Sequence, residues 1–129
     1  MENAMEHEKN EISPRDADVS KETAEEINKA LSCLQAGVND WDVTQVEKAK
    51  HRFDDLLSRH TNRYLLYYAA LCDYRLAGYY LAGGRIDEIE KYIVEGKKFL
   101  EQSIQSDPDF GESYALYGTL LGYEIALLS

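Results

Sequence analysis

Apolar residues recur every three to four positions along most of the chain, the spacing that places them on one face of an α-helix. No stretch shows the strict alternation of apolar and polar residues that indicates a strand. The apolar face of the first helical segment is Ile27, Ala30, Leu31 and Leu34, and that of the second is Val46, Ala49, Phe53, Leu56 and Leu57. The pattern predicts an all-α fold of about five helices.

Residues that begin and end helices separate the first three segments. Gly37 is expected to break the first helix, because glycine favours helix ends. Asp42 offers a side-chain oxygen, and Gln45 a reciprocal amide, with which the second helix can begin. The third helix is predicted from about residue 62 to residue 82.

Turn residues also mark the last two segments. Gly83 and Gly84 are expected to end the third helix, and Asp87 to cap a fourth that runs through Ser106. The pair Asp107–Pro108 ends the fourth helix, because proline lacks a donor and restricts the residue before it. The fifth helix is expected to begin at Asp109.

The sequence resembles itself at an offset of 47 residues. The matched pairs include Ala49 with Gly96, Phe53 with Leu100, Leu57 with Ile104, Ala30 with Ala77, Gly37 with Gly84 and Tyr67 with Tyr114. A constant register predicts a repeated helical hairpin that buries its apolar face by stacking on the next hairpin. Gly118, and Ala49 or Gly96 in partner helices, are expected to let two backbones approach closely.

Three elements of the repeat resemble the tetratricopeptide repeat (TPR) family, whose pattern is W-x2-L-G-x2-Y, then A-x3-F, then P. They are Tyr114-x2-Tyr117-Gly118-x2-Leu121, Ala49-x3-Phe53, and Pro108 eight residues after Leu100. The resemblance covers about residues 19–129, or two and a half repeats, and the spacing of 47 exceeds the usual length of roughly 34. It implies a short solenoid of antiparallel hairpins; a generic helical solenoid or a small bundle is the alternative.

The resemblance implies a non-enzymatic module that binds a protein or peptide in its concave groove. In the TPR family the first helix of each repeat lines this groove. The residues that the resemblance places there are Leu65, Tyr68, Arg75, Tyr79 and Tyr123. The alternative for each tyrosine is packing in the core with the hydroxyl at the edge. The family's carboxylate clamp is not matched, because only Lys21 agrees with it.

The charge of the chain argues against nucleic acid as a partner. With 24 acidic and 14 basic residues the formal net charge is −10, which repels phosphate backbones. Residues 1–18 are charged and poor in apolar side chains, so we expect a flexible acidic tail before a repeat domain at 19–129. The start lacks the features of a secretory signal, which predicts a cytoplasmic protein. A periplasmic or secreted location is the alternative if a signal segment was removed.

The long apolar run at residues 64–84 has roughly the length needed to cross a bilayer. It contains Asp73, Arg75 and six tyrosines, so we expect a helix buried by protein and no membrane insertion. Cys33 and Cys72 lie among apolar helical neighbours and are expected to be buried thiols.

Residues with catalytic or metal-binding chemistry form no recognisable site in the sequence. Asp54 and Asp55 are adjacent on a helix and point in different directions, while His51 and His60 are too far apart to bind one metal ion. His7 lies in the tail. We therefore expect no catalytic residue, no metal and no cofactor.

The fifth helix carries leucines on more than one face. A terminal repeat needs a polar outer face, and this helix has few ionisable side chains. Leu120 and Leu127 are expected to form an exposed apolar interface. The alternative function is therefore that of an accessory or assembly domain, which forms a homodimer through helix five or packs against a continuing chain.

Overall fold

The computed structural model describes residues 19–128, and within this range five helices pack against each other with no strand. The helices are α1 (Lys21–Asn39), α2 (Val43–Arg59), α3 (Arg63–Ala82), α4 (Ile86–Ser106) and α5 (Gly111–Leu128). The all-α prediction is confirmed. The predicted tail at residues 1–18, with His7, lies outside the described residues.

Side-chain oxygens cap the first three helices. Ser20 caps α1, Asp42 caps α2 and Asn62 caps α3, each by accepting a hydrogen bond of 2.8–3.1 Å from a backbone N–H of the first turn. These bonds satisfy amides that have no partner within the helix. The predicted cap at Asp42 and the predicted start of the third helix are confirmed.

The starts of α4 and α5 differ from the prediction. Arg85 occupies the cap position of α4 without a side-chain cap, and Asp87 lies in the first turn, where its charge faces the positive end of the helix dipole. α5 begins two residues after Asp109, since the Phe110 amide donates to the Asp107 carbonyl (3.1 Å) and closes a turn there. The predicted end of α3 at residues 83–84 is confirmed.

Gly37 lies inside α1 and does not break it, so that prediction was wrong. The helix continues to Asn39, and Gly37 is buried where α1 crosses the start of α2. A Cβ atom on this residue would lie 2.9 Å from the Val46 nitrogen and 3.0 Å from the Asp42 carbonyl oxygen. A glycine is therefore needed at this position for close packing, not for chain reversal.

The other small residues of the repeat differ in how closely their neighbours pack against them. A Cβ atom on Gly96 would lie 2.9 Å from Leu120 Cδ1, and Ala49 is fully buried, so both permit close packing as predicted. Gly118 is exposed, and a Cβ atom there would meet nothing within 4 Å. The prediction of a close approach at Gly118 was wrong.

Two core clusters hold the helices together. The larger joins α1, α2, α3 and α4 around Phe53, Leu65 and Ile93, and the smaller joins α3, α4 and α5 around Leu100 and Leu120. Successive helices pack extensively, whereas α1 touches α3, and α3 touches α5, only along narrow margins. Open grooves therefore remain on both sides of α3.

A buried ion cluster connects α2, α3 and α4. Lys50 Nζ on α2 lies 3.1 Å from Oδ1 of Asp73 on α3, and it also contacts Glu95 on α4 and Asp54 on its own helix. Asp73 is fully buried, and neither of its oxygens receives a well-aligned hydrogen bond from the described residues. Its approach to Lys50 is thus a charge contact rather than an aligned bond.

Burial decides the direction of the pKa shift of Asp73 but not that of Lys50. It raises the pKa of Asp73 to about 8, although Lys50 opposes the shift. Burial lowers the pKa of Lys50, but the three carboxylates around it outweigh that effect and the net shift is upward. The raised pKa keeps Lys50 positively charged, while Asp73 changes from neutral to negatively charged as the pH rises through its pKa of about 8.

Candidate functional site

Two cavities lie along α3 and have Arg75 as a common lining residue, and we refer to them together as the groove along α3. The α1–α3 cavity has a volume of about 190 Å³. Its lining is mainly apolar, with polar groups at one end: Leu31, Leu34, Gln35, Val38, Asn39, Tyr68, Leu71 and Arg75.

The α3–α5 cavity has a volume of about 150 Å³ and is predominantly aromatic. Its lining consists of Trp41, Tyr74, Arg75, Gly78, Tyr79 and Tyr123. Arg75 lines both cavities, so a guanidinium group marks their junction.

Four of the five predicted groove residues line these cavities, and Leu65 does not. Tyr68 lines the α1–α3 cavity, Tyr79 and Tyr123 line the α3–α5 cavity, and Arg75 lines both. Leu65 is fully buried in the larger core cluster. Its side of α3 faces the second helices of the hairpins, so it cannot reach a partner in the groove.

Tyr68 and Tyr79 are packed into the protein as well as lining the groove. The Tyr68 ring stacks on Phe53 with centroids 5.7 Å apart, and burial raises the pKa of Tyr68 to about 12. Tyr79 is 8% exposed, and its hydroxyl donates to the Gly37 carbonyl oxygen over 3.5 Å. Both rings are therefore packed into the protein, as in the alternative for the tyrosines, although the Tyr79 hydroxyl lies in a buried hydrogen bond and not at the edge.

Arg75 is held in place by aromatic rings. Its guanidinium lies 5.4 Å from the centroid of the Tyr74 ring, and Tyr74 in turn stacks on Tyr123 at 5.4 Å. Within residues 19–128 no carboxylate forms an ion pair with this guanidinium, in contrast to Arg59 and Lys97. The junction of the two cavities thus presents a positive charge that no described acidic side chain neutralises.

Trp41 belongs to the groove and was missed by sequence reasoning. It is 67% exposed, its ring contacts Tyr79 edge to face at 4.7 Å, and its backbone has φ 55°. A bulky residue in this left-handed region is an outlier that the surrounding structure must hold. The available signal was a single tryptophan in the polar turn between two helices, where no core face requires an aromatic residue.

The acidic and histidine side chains with catalytic chemistry have structural contacts. Asp54 belongs to the ion cluster of Lys50, Asp55 pairs with Arg59 at 3.0 Å, and His60 Nε2 lies 3.4 Å from the Thr23 hydroxyl. In the part of the chain that is described, no three metal-binding side chains come together. Both cysteines are free thiols.

The outer face of α5 is uncharged beyond its first turn, but it is not built from the predicted residues. Leu120 is fully buried in the smaller core cluster, and Leu127 is partly buried against the larger one. Leu120 therefore cannot form an exposed interface. The exposed positions of α5 beyond its first turn are Tyr114, Ala115, Gly118, Thr119, Gly122, Ile125 and Ala126. None of these side chains carries a charge.

Comparison with protein-family models, with curated proteins and with solved structures finds no match for this chain. Among the five described helices, none combines the length and the apolar character that crossing a bilayer requires. The groove along α3 and the outer face of α5 are the two candidate binding surfaces of the described residues.

Proposed function

We propose that this chain is a non-enzymatic protein-interaction module of the TPR type, which holds a peptide or protein segment in the groove along α3. The observation that carries the proposal is the pair of cavities that share Arg75. Tryptophan, tyrosine and arginine dominate the binding energy of protein interfaces, and the groove presents Trp41, Tyr123 and Arg75 together.

The helix bounds support the repeat interpretation. Displaced by 47 residues, α2 falls on 90–106 and α3 on 110–129, close to the bounds of α4 and α5. Displaced in the same way, α1 falls on 68–86 and so ends about one helical turn beyond the end of α3 at Ala82. Gly37 therefore lies inside a helix, whereas its counterpart Gly84 lies in the turn after one. The first helices of successive hairpins border the groove, as a TPR array requires.

The contacts of the acidic side chains favour binding over catalysis. Asp54 and Asp55 each form an ion pair with a basic residue on the same helix, so their charges have structural partners. The groove itself contains one guanidinium and aromatic rings, and the described residues that line it do not place a base beside a nucleophile. Such a lining suits recognition of apolar side chains and an anion better than proton transfer.

Proteins captured by the wild-type chain should be lost when the groove is altered. We expect Trp41→Asn and Arg75→Ala to reduce their recovery about tenfold, since each removes a contact worth about 1–2 kcal/mol or more. Asparagine tolerates the left-handed backbone at position 41, so the fold is preserved. Quantitative mass spectrometry of affinity-purified material is the measurement.

Val94→Ala is the matched control, because Val94 lies on α4 away from the groove and is half exposed. All three variants should melt within a few degrees of the wild-type protein, because Trp41 and Val94 are exposed and Arg75 is only partly buried. Equal recovery of the same proteins by the groove variants and by the control would contradict the proposal.

A second candidate function is assembly through α5. Its exposed face is uncharged and contains three small residues one turn apart, Gly118, Gly122 and Ala126, which would allow another helix to approach closely. The acidic residue nearest this face, Glu124, is paired with Lys97 of α4 at 3.1 Å. Ile125 is 65% exposed on this face, and an exposed apolar side chain beside small residues suits an interface between copies of a chain.

Sedimentation velocity at several concentrations tests this second function. We expect the wild-type chain to form dimers as its concentration rises, and Ile125→Glu to remain monomeric, because the new charge would be desolvated in the dimer. Val94→Glu introduces the same charge on the half-exposed surface of α4 and should dimerise normally. A wild-type chain that stays monomeric throughout would exclude assembly through α5.

A further inference from the structure

We infer that the ligand of the groove presents a carboxylate to Arg75 and places one large apolar side chain in the cavity on each side of it. This inference rests on the proposed function, because it specifies the chemistry of the peptide that the groove would hold. The carboxylate belongs to an aspartate or glutamate side chain inside the peptide, because an apolar residue lies on each side of it.

The sizes of the two cavities point to single side chains. Their volumes are about 190 and 150 Å³, and a cavity of roughly 150 Å³ with an apolar lining is large enough to bind benzene. Leu31, Leu34 and Leu71 provide an aliphatic surface in the first cavity. The second offers the rings of Tyr74 and Tyr123. Each cavity thus fits one aliphatic or aromatic side chain.

The charge at the junction selects an anion between these side chains. Among the described residues, Arg75 is the only charged one that lines either cavity, and no described carboxylate pairs with it. Its guanidinium lies over the Tyr74 ring, and the planar group presents its donors in a fork that matches a carboxylate. A ligand cation would be repelled there, whereas a carboxylate can accept two parallel hydrogen bonds from the guanidinium.

Trp41 supplies an anchor at the outer end of the second cavity. The exposed indole lies against Tyr79 and can cover an apolar side chain that enters beside it. Trp41 lines this cavity, and its backbone lies in the left-handed region at φ 55°. Backbone strain that the fold maintains is concentrated at ligand-contacting positions.

Selection from a random peptide library displayed on phage tests the inference with the whole chain as target. We expect the enriched peptides to share an acidic residue with large apolar residues on both sides of it. Synthetic peptides of the consensus should lose about tenfold in affinity for Arg75→Gln, the cost of one charged hydrogen-bonded contact. Arg52→Gln removes the same charge from the exposed surface of α2 and should leave the affinity unchanged.

Two peptide series test the source of the carboxylate. Replacing the consensus acid by its amide should weaken binding about tenfold, whereas amidating the peptide end should leave the affinity unchanged. Peptides whose binding depends on their free carboxyl end instead would overturn the inference. Peptides that bind wild-type protein and Arg75→Gln equally would overturn the inference while leaving the groove as a binding site. Failure to enrich any peptide that depends on Trp41 or Arg75 would count against the proposed function itself.

Discussion

Replacing Lys50 by methionine should destabilise the protein by about 3–5 kcal/mol at pH 9, because it leaves a buried carboxylate without its cation. Methionine matches the length of the lysine stem, so the change removes the charge and leaves most of the packing. Asp73 is fully buried and has Lys50 as its cationic contact at 3.1 Å. Without Lys50, the fold must either bury an unpaired carboxylate or keep it protonated.

The cost should grow with pH. The folded-state pKa of Asp73 is about 8, above its ordinary value of 3.8, so the folded protein binds a proton that the unfolded chain releases. This group therefore favours folding most at low pH, and its contribution is lost as the pH rises from 3.8 through about 8. Below that range Asp73 is neutral with or without Lys50, and above it only Lys50 compensates the charge.

Urea unfolding between pH 5 and pH 9 would measure both effects. Lys48→Met is the control, because Lys48 is exposed on the same helix, and it should change the stability by less than about 0.5 kcal/mol. Adding Asp73→Leu to Lys50→Met should restore much of the loss, since no buried charge remains to be paired. A cost of Lys50→Met that does not change with pH would show that Asp73 does not titrate in this range.

Two glycine-to-alanine substitutions, one on α1 and one on α5, should change the free energy of unfolding in opposite directions. Gly37→Ala should destabilise the protein by about 2 kcal/mol, because its methyl group would meet the Val46 nitrogen and the Asp42 carbonyl at 2.9–3.0 Å. These are backbone atoms, which cannot rotate away. Gly118→Ala should instead stabilise the protein by about 0.5–1 kcal/mol, as alanine favours a helix and has open space there.

Thermal unfolding of the two alanine variants at low protein concentration would decide this prediction. Low concentration keeps any association through α5 from contributing to the melting temperature. Gly37→Ala should melt several degrees lower than the wild-type protein and Gly118→Ala slightly higher. If Gly37→Ala melts no lower than Gly118→Ala, the close crossing of α1 and α2 is not present in solution.

The helices could be predicted from the sequence because they depend on local information. Apolar spacing identified all five, and Asp42 and Gly83–Gly84 marked ends where a single side chain or a special backbone conformation decides the outcome. Gly37 misled the prediction because glycine also serves close helix packing. Only the position of α2 relative to α1 distinguishes the two uses, and that position is a property of the folded chain.

The groove was predictable in part, because the face of a helix is easier to infer than the depth of a side chain. Tyr68, Arg75 and Tyr79 were placed along one side of α3 and do line the cavities. Leu65 is one turn before Tyr68, but the packing of α2 buries it. Trp41 lies in a turn, where apolar periodicity carries no information about contacts.

The two core clusters do not hold all five helices equally. α5 is held mainly through the smaller cluster, whose fully buried members include Leu120 from α5 and Leu100 from α4. Among the five described helices we therefore expect α5 to open locally while the larger cluster stays intact, because only Tyr123 and Leu127 connect it to that cluster. Tyr123 leaves with it, so the α3–α5 cavity exists only in the fraction of molecules with α5 docked. The apparent affinity of a ligand for that cavity is scaled by this fraction, and the bound ligand in turn stabilises the end of the chain.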